Sequence, residues 1–171
     1  IDALIKSKSF IFRELNLLDL NEFTKTAHDL HIEDPITEVW HLAANSDIPA
    51  GVSDANVDLH DTFMTTFNTL EVMKKIGIHV LYFSSSSAIY GDFGEQEIKE
   101  DVGPLMPISN YGAMKLASEA LISAALESFL EKVCIYRFPN VVGIPATHGV
   151  ILDFITRLKN EPNQLSVLGN G

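Results

Sequence analysis

Three short runs, Glu38-Val-Trp-His-Leu-Ala-Ala44, His79-Val-Leu-Tyr-Phe-Ser84 and Lys132-Val-Cys-Ile-Tyr-Arg-Phe138, are nearly continuous in apolar residues. That is the pattern of strands buried inside a parallel sheet. The stretches between them change period. From Phe63 to Ile76, Phe63, Phe67, Leu70 and Met73 recur at three- and four-residue spacing, which predicts an amphipathic helix. Tyr111 to Leu130 is rich in Ala and Leu and has neither Pro nor Gly after Gly112, so a second helix is expected there. Strand, helix, strand, helix, strand predicts right-handed crossovers and an α/β, doubly wound parallel sheet of the Rossmann type. Phe10 to Asn16 is a weaker strand candidate, preceded by a short, uncapped helical or loop pattern. Toward the end, Val150 to Leu158 is amphipathic at helical spacing and Leu165-Ser-Val-Leu168 follows.

Composition narrows the classes of function. The chain has 171 residues, of which 46% are hydrophobic, enough for one core and one α/β unit. Twelve Lys plus Arg against 23 Asp plus Glu give a formal net charge of -11, which repels phosphate backbones and anionic membrane surfaces. Nucleic acid and membrane are therefore not expected as partners. A small anionic substrate remains compatible, since one local cation or helix N-terminus can hold a phosphate. The single Cys134 lies in an apolar run and excludes an intrachain disulfide framework. Six histidines show no metal-binding spacing, so no metal is expected. No apolar run reaches the ~18 residues of a membrane span, and the first residues lack a signal-peptide layout. A soluble, cytoplasmic protein is the expectation.

Chemistry concentrates at two places. In Tyr111-Gly-Ala-Met-Lys115 the spacing of four puts a phenol and an ammonium on one helix face, and a nearby cation favours phenolate, the form that acts as a base. Phe83-Ser-Ser-Ser-Ser-Ala-Ile-Tyr-Gly91, beginning a little upstream, leaves hydroxyls at the carboxyl edge of a parallel strand, where open α/β sheets bind ligands.

Four blocks in order carry a resemblance: Val39-Trp-His-Leu-Ala-Ala44, Phe83 to Gly91, Asn110-Tyr-Gly-Ala-Met-Lys115, and Arg137-Phe-Pro-Asn-Val-Val-Gly143. With these the chain resembles the extended short-chain dehydrogenases/reductases, and within them the nucleotide-sugar epimerases that include UDP-glucose 4-epimerase. The resemblance implies NAD as cofactor and a UDP-sugar as substrate, epimerised at C4 through a keto intermediate. It implies Ser86 as the active-site hydroxyl, Tyr111 as acid/base, and Lys115 as the residue that tunes Tyr111 and holds the nicotinamide ribose. Cofactor contacts are implied for Asn16, Leu17, Leu42, Ala43, Ala44, Asn45 and Pro139, and substrate contacts for Ser86, Ser87, Tyr111 and Asn140. Thr147-His-Gly-Val150 resembles a substrate-side loop. The same resemblance implies a homodimer built on the two central helices.

Three departures stand beside it. Asn16 occupies a position where relatives carry an adenine-binding aspartate, and Thr62 one where a cofactor-supporting asparagine is common. No Gly-x-x-Gly-x-x-Gly occurs anywhere, although such glycines let backbone approach a pyrophosphate. The expectation is a chain cut at both ends, with residues 1–144 as a partial NAD-binding domain that lacks its glycine-rich loop and 145–171 as the start of a small substrate domain. Decarboxylation of a UDP-uronate, reduction of a nucleotide sugar, and non-catalytic NAD or nucleotide sensing are the alternatives on the same fold.

Overall fold

A computed structural model describes residues 2–5, 7–144 and 149–167. A short helix α1 (Asp2–Ile5) is followed by α2 (Leu20–Glu33), strand β1 (Val39–His41), and two short helices, α3 (Ile48–Ser53) and α4 (Ala55–Asp58). A π-helical turn (Leu59–Met64) runs directly into α5 (Thr65–Ile76). Then come β2 (Val80–Ser86), a 3-10 turn (Ser87–Ile89), α6 (Asn110–Leu126), β3 (Lys132–Phe138) and α7 (Val150–Asn160). The chain forms two compact units, residues 1–138 and 139–171.

In the first unit the three strands are parallel in the order β1-β2-β3, with His41 beside Phe83 and Phe83 beside Ile135. Parallel neighbours need crossover connections, and α5 and α6 provide them. Side chains alternate along β2: Leu81, Phe83 and Ser85 are buried, while Tyr82, Ser84 and Ser86 are half-buried. The buried set meets Leu70 and Met73 of α5 and Ile122 and Ala125 of α6, with Ile78 and Leu130 closing the core. Burying each large aliphatic or aromatic side chain of this kind contributes about 1.5–3 kcal/mol. On the opposite face an aromatic row crosses all three strands: Trp40 stacks on Tyr82 at 4.2 Å and lies 6.3 Å from Tyr136, which is 5.6 Å from Phe138. That face is only partly covered, and Trp40 is 55% exposed.

The helix ends follow from local chemistry. Asp19 caps α2 by accepting from the Glu22 N–H at 3.0 Å, and Ser109 caps α6 by accepting from the Gly112 N–H at 3.0 Å, each satisfying a donor the helix cannot. α5 stops at Gly77, whose φ of 80° is the left-handed conformation glycine adopts without a Cβ penalty.

Several expectations need correction. Phe10 to Asn16 forms no strand: it has no ladder partner, and a lone strand cannot satisfy its backbone. β1 ends at His41 rather than Ala44, because its register with β2 covers only Val39, Trp40 and His41. β2 continues two residues past Ser84, paired with β3 up to Ser86–Phe138. Phe63 belongs to the π-helical turn, so α5 begins at Thr65, and α6 ends at Leu126 in a turn whose Phe129 and Leu130 N–H groups both reach the Ala125 carbonyl. α2 was not expected at all. In the second unit α7 extends to Asn160. Leu165 to Val167 has no regular structure. Leu168 and residues 145–148, including Thr147 and His148 of the Thr147–Val150 loop, lie outside the described residues.

Candidate active site at the carboxyl end of β2

β2 ends in Ser84, Ser85 and Ser86, and α6 returns across them with Tyr111, Lys115 and Glu119 at successive spacings of four. This places the three α6 side chains on one helix face. Lys115 Nζ donates to the Ser84 carbonyl at 2.6 Å, and the Ser85 hydroxyl donates to Glu119 Oε1 at 2.5 Å. The Ser86 hydroxyl lies beside Tyr111, where it works to lower the phenol's pKa, and accepts from the Ala88 N–H at 3.2 Å. Ser87 opens the 3-10 turn that follows. The first turn of α6 rests on that turn because residue 112 is glycine: a Cβ there would lie 2.4 Å from the Ala88 carbonyl oxygen.

Lys115 is 1% exposed, with its ammonium 4.8 Å from the Phe83 ring centroid and 5.8 Å from that of Tyr111. Burial lowers its pKa to about 8, and the Glu119 carboxylate works against that shift. Tyr111 is raised above its ordinary value, chiefly by burial. The Ser86 hydroxyl works in the opposite direction, and the Asp58 carboxylate adds to the rise. The expectation that the neighbouring cation would dominate Tyr111 is thus corrected, because removing the phenol from water outweighs it.

Beneath the pair, His41 is buried, with Nε2 3.0 Å from Thr66 Oγ1. Thr66 donates its own hydroxyl proton to the Thr62 carbonyl, so it accepts from His41, which fixes the tautomer with the proton on Nε2. Burial first, and the Lys115 charge second, push the His41 pKa down to about 4.

The β1 edge supplies the rest. Asn45 N–H donates to Thr62 Oγ1 at 3.1 Å, while its side chain donates to the Asp47 carbonyl at 2.9 Å and to Asp58 Oδ1 at 2.8 Å. Its amide oxygen accepts from the Asp47 N–H. Asn45 therefore organises its own loop, and Leu42, Ala43 and Ala44 leave backbone and small side chains at the edge. Asn16 Oδ1 accepts from the Leu18 N–H at 3.0 Å, and the Leu17 carbonyl accepts from Asn68 of α5 at 2.8 Å. Ser86, Tyr111 and Lys115 are brought together, and Asn45 holds Asp58, whose carboxylate acts on Tyr111 through its charge. Pro139 and Asn140 follow β3 and belong to the second unit.

Three residues of the site went unremarked in the sequence: Asp58, Glu119 and Arg137. Glu119 continues the every-fourth spacing of Tyr111 and Lys115, and Arg137 opens the fourth block. Asp58 carried no local signal. Among the described residues no buried side-chain nitrogen or oxygen lacks a partner, and no cluster of three metal-ligating side chains occurs. No helix of these residues is long and apolar enough to cross a membrane.

A Tyr-x-x-x-Lys pair on a helix, facing a serine at the end of a parallel strand, is the site of a short-chain dehydrogenase/reductase fold of the Rossmann-like kind. The chain belongs to the NAD dependent epimerase/dehydratase family, whose match extends over residues 2–171. It is 34% identical over 105 residues to a UDP-glucose 4-epimerase of Corynebacterium glutamicum, covering 61% of this chain and 32% of that protein. Among solved structures it resembles a Thermus thermophilus UDP-glucose 4-epimerase in complex with NAD, at 31% identity and a TM-score of 0.72, covering 84% of this chain and 45% of that one. A UDP-glucuronic acid 4-epimerase from Bacillus cereus, in complex with UDP-glucuronic acid and NAD, has a TM-score of 0.80 at 25% identity and covers 99% of this chain and 52% of that one. The chain thus matches about a third of the first of these relatives and about half of the other two.

NAD is the cofactor of this family. The buried Lys115 ammonium beside Tyr111 at a parallel-strand edge fits its nicotinamide-ribose end. For its pyrophosphate the chain offers no Gly-x-x-Gly-x-x-Gly.

Proposed function

We propose that this chain carries the catalytic centre of a nucleotide-sugar epimerase that inverts C4 of a UDP-hexose through a 4-keto intermediate. The observation that carries the reading is the buried Lys115 ammonium, 5.8 Å from the Tyr111 ring centroid and bonded to the Ser84 carbonyl at the serine-lined end of β2. Bound NAD supplies a reversible hydride acceptor and a positive charge that favours phenolate. Lys115 would hold the ribose of that cofactor. Tyr111, as phenolate, removes the proton from the C4 hydroxyl while Ser86 hydrogen-bonds the reacting oxygen. Such positioned acid/base catalysis contributes about 100- to 10,000-fold. C4 becomes a ketone, the sugar turns about its diphosphate link, and Tyr111 returns its proton as the C4–H bond re-forms on the other face.

The cofactor roles of Asn16, Leu17, Leu42 to Asn45 and Pro139, and the substrate roles of Ser87 and Asn140, belong to this proposal. So do the division into a partial NAD-binding region at 1–144 and a substrate region at 145–171, a cytoplasmic setting, and a homodimer formed through α5 and α6. The test is incubation of the protein with NAD and UDP-glucose or UDP-N-acetylglucosamine, following C4 configuration by proton NMR. Appearance of the galacto form supports the reading. No conversion while NAD is bound would overturn it and leave a decarboxylase, a reductase or a sensor.

A further inference from the structure

Lys115 and Glu119 bond two successive residues of β2, Ser84 and Ser85, and Lys115 forms the proposed catalytic pair with Tyr111. Glu119 has no part in that chemistry. It is nevertheless 7% exposed and the most elaborately held carboxylate among the described residues. It accepts from Ser85 at 2.5 Å, from Arg137 Nε at 3.1 and 3.2 Å, and from Arg137 Nη2 at 2.8 Å. Arg137 faces Ser85 in the β2–β3 register, so its guanidinium reaches the same side of the sheet. Its Nη1 also donates to the Glu100 carbonyl at 2.6 Å and to the Tyr90 hydroxyl at 3.3 Å. A planar fork held by three groups, the Glu119 carboxylate, the Tyr90 hydroxyl and the Glu100 carbonyl, leaves the carboxylate little freedom.

We propose that Glu119, clamped by Arg137, is a positioning residue for Lys115, fixing the lysine's face of α6 against β2. The proposal rests on the reading of Tyr111 and Lys115 as the catalytic pair. Ser85, which Glu119 holds, lies between Ser84, whose carbonyl receives the ammonium, and Ser86, whose hydroxyl lies beside Tyr111. One carboxylate therefore sets the register of α6 against the part of β2 that receives the ammonium. It also opposes the loss of charge that burial forces on Lys115. The titratable and charged groups around the ammonium are Tyr111 and Glu119 on α6, His41 on β1 and Arg137 on β3 behind Glu119, with Asp58 of α4 facing Tyr111. Of the anions, Glu119 is the one adjacent to the lysine on its own helix face. Without Arg137, the Glu119 carboxylate loses the cation that shares its charge.

Opposite charge changes must then move Lys115 in opposite directions. The readout is NMR of the full chain carrying lysine labelled with carbon-13 at the ε position, titrated from about pH 6 to 11, with the resonance assigned through Lys115→Met. Glu119→Gln is expected to lower the Lys115 midpoint and Arg137→Met to raise it, each by at least about half a pH unit. If the pair were only a structural bridge, both variants would lose stability while the midpoint stayed put or moved the same way, and either result overturns the proposal. Should Glu119→Gln fail to fold, Glu119→Asp, which withdraws the charge by one methylene, must still lower the midpoint. No movement in that variant also overturns it. The measurement needs no turnover, so its outcome is separate from whether the protein epimerises a sugar.

Discussion

Lys115 Nζ lies 2.6 Å from the Ser84 carbonyl oxygen, an ammonium held by the backbone of the strand whose end forms the site. The contact fixes the lysine from below while leaving two of its three donors free for a ligand. Ser86, two residues further along that strand, lies beside Tyr111.

Tyr111→Phe keeps the ring and its packing and removes the proton carrier. We expect kcat with UDP-glucose and NAD to fall by about 100- to 10,000-fold, while NAD binding, followed by fluorescence titration, stays within a few-fold. Ser86→Ala removes a hydrogen-bond donor to the reacting oxygen and is expected to cost about 100-fold in kcat. A wild-type rate in Tyr111→Phe would remove Tyr111 from the chemistry.

His41 is folded as a neutral imidazole, with its pKa moved from 6.5 to about 4. A depressed histidine binds protons more readily in the unfolded chain, so stability rises with pH across that window. The contribution is fully present above pH 6.5 and is lost as pH falls toward 4, with an upper limit of about 3 kcal/mol. Urea denaturation at a series of pH values should show this slope in the wild type and a shallower one in His41→Gln.

Gly112→Ala would drive a methyl into the Ala88 carbonyl, since the Cβ position is 2.4 Å from that oxygen. Relief requires α6 to lift from the 3-10 turn, and Tyr111 adjoins that point. The expected cost is about 1–3 kcal/mol of stability, with a fall in kcat larger than any change in NAD affinity. A variant with unchanged melting temperature and rate would show that the contact is not tight in solution.

Ile122 is fully buried between α6 and the sheet. Ile122→Ala is expected to cost about 2–5 kcal/mol, read as a lower denaturation midpoint with an unchanged slope against denaturant.

The strands and the two crossover helices were legible because burial imposes strong periodicity on them. α2 was not: no residue of it is buried, so it carries no core-forming run like those of α5 and α6. Its signal lay in capping instead, with Asp19 and Glu22 spaced as a cap and its third residue ahead of Phe23, Ala27 and Leu30. Phe10 to Phe12 misled because local apolarity says nothing about a ladder partner. At the site, Tyr111 and Lys115 were readable from their own spacing, and Ser86 from the strand end. Asp58 was not, because its meaning depends on a hydrogen bond from Asn45, 13 residues away, that only the folded loop creates. The sign of the Tyr111 shift was missed for a related reason, since spacing reveals the cation but not the depth of burial.

The aromatic row across the sheet carries a practical dividend. Trp40 is the chain's one tryptophan, and its indole N–H is anchored to Glu38 at 2.8 Å while its face lies on Tyr82. Its emission therefore arises from a single place on the face opposite the α5 and α6 packing. Whatever comes to cover that face, whether more of the same polypeptide or another molecule, would dry the indole, shift its emission to the blue and shield it from acrylamide. The protein thus contains an optical gauge of how completely its sheet is enclosed, one that reads out without touching the chemistry at the other end of β2.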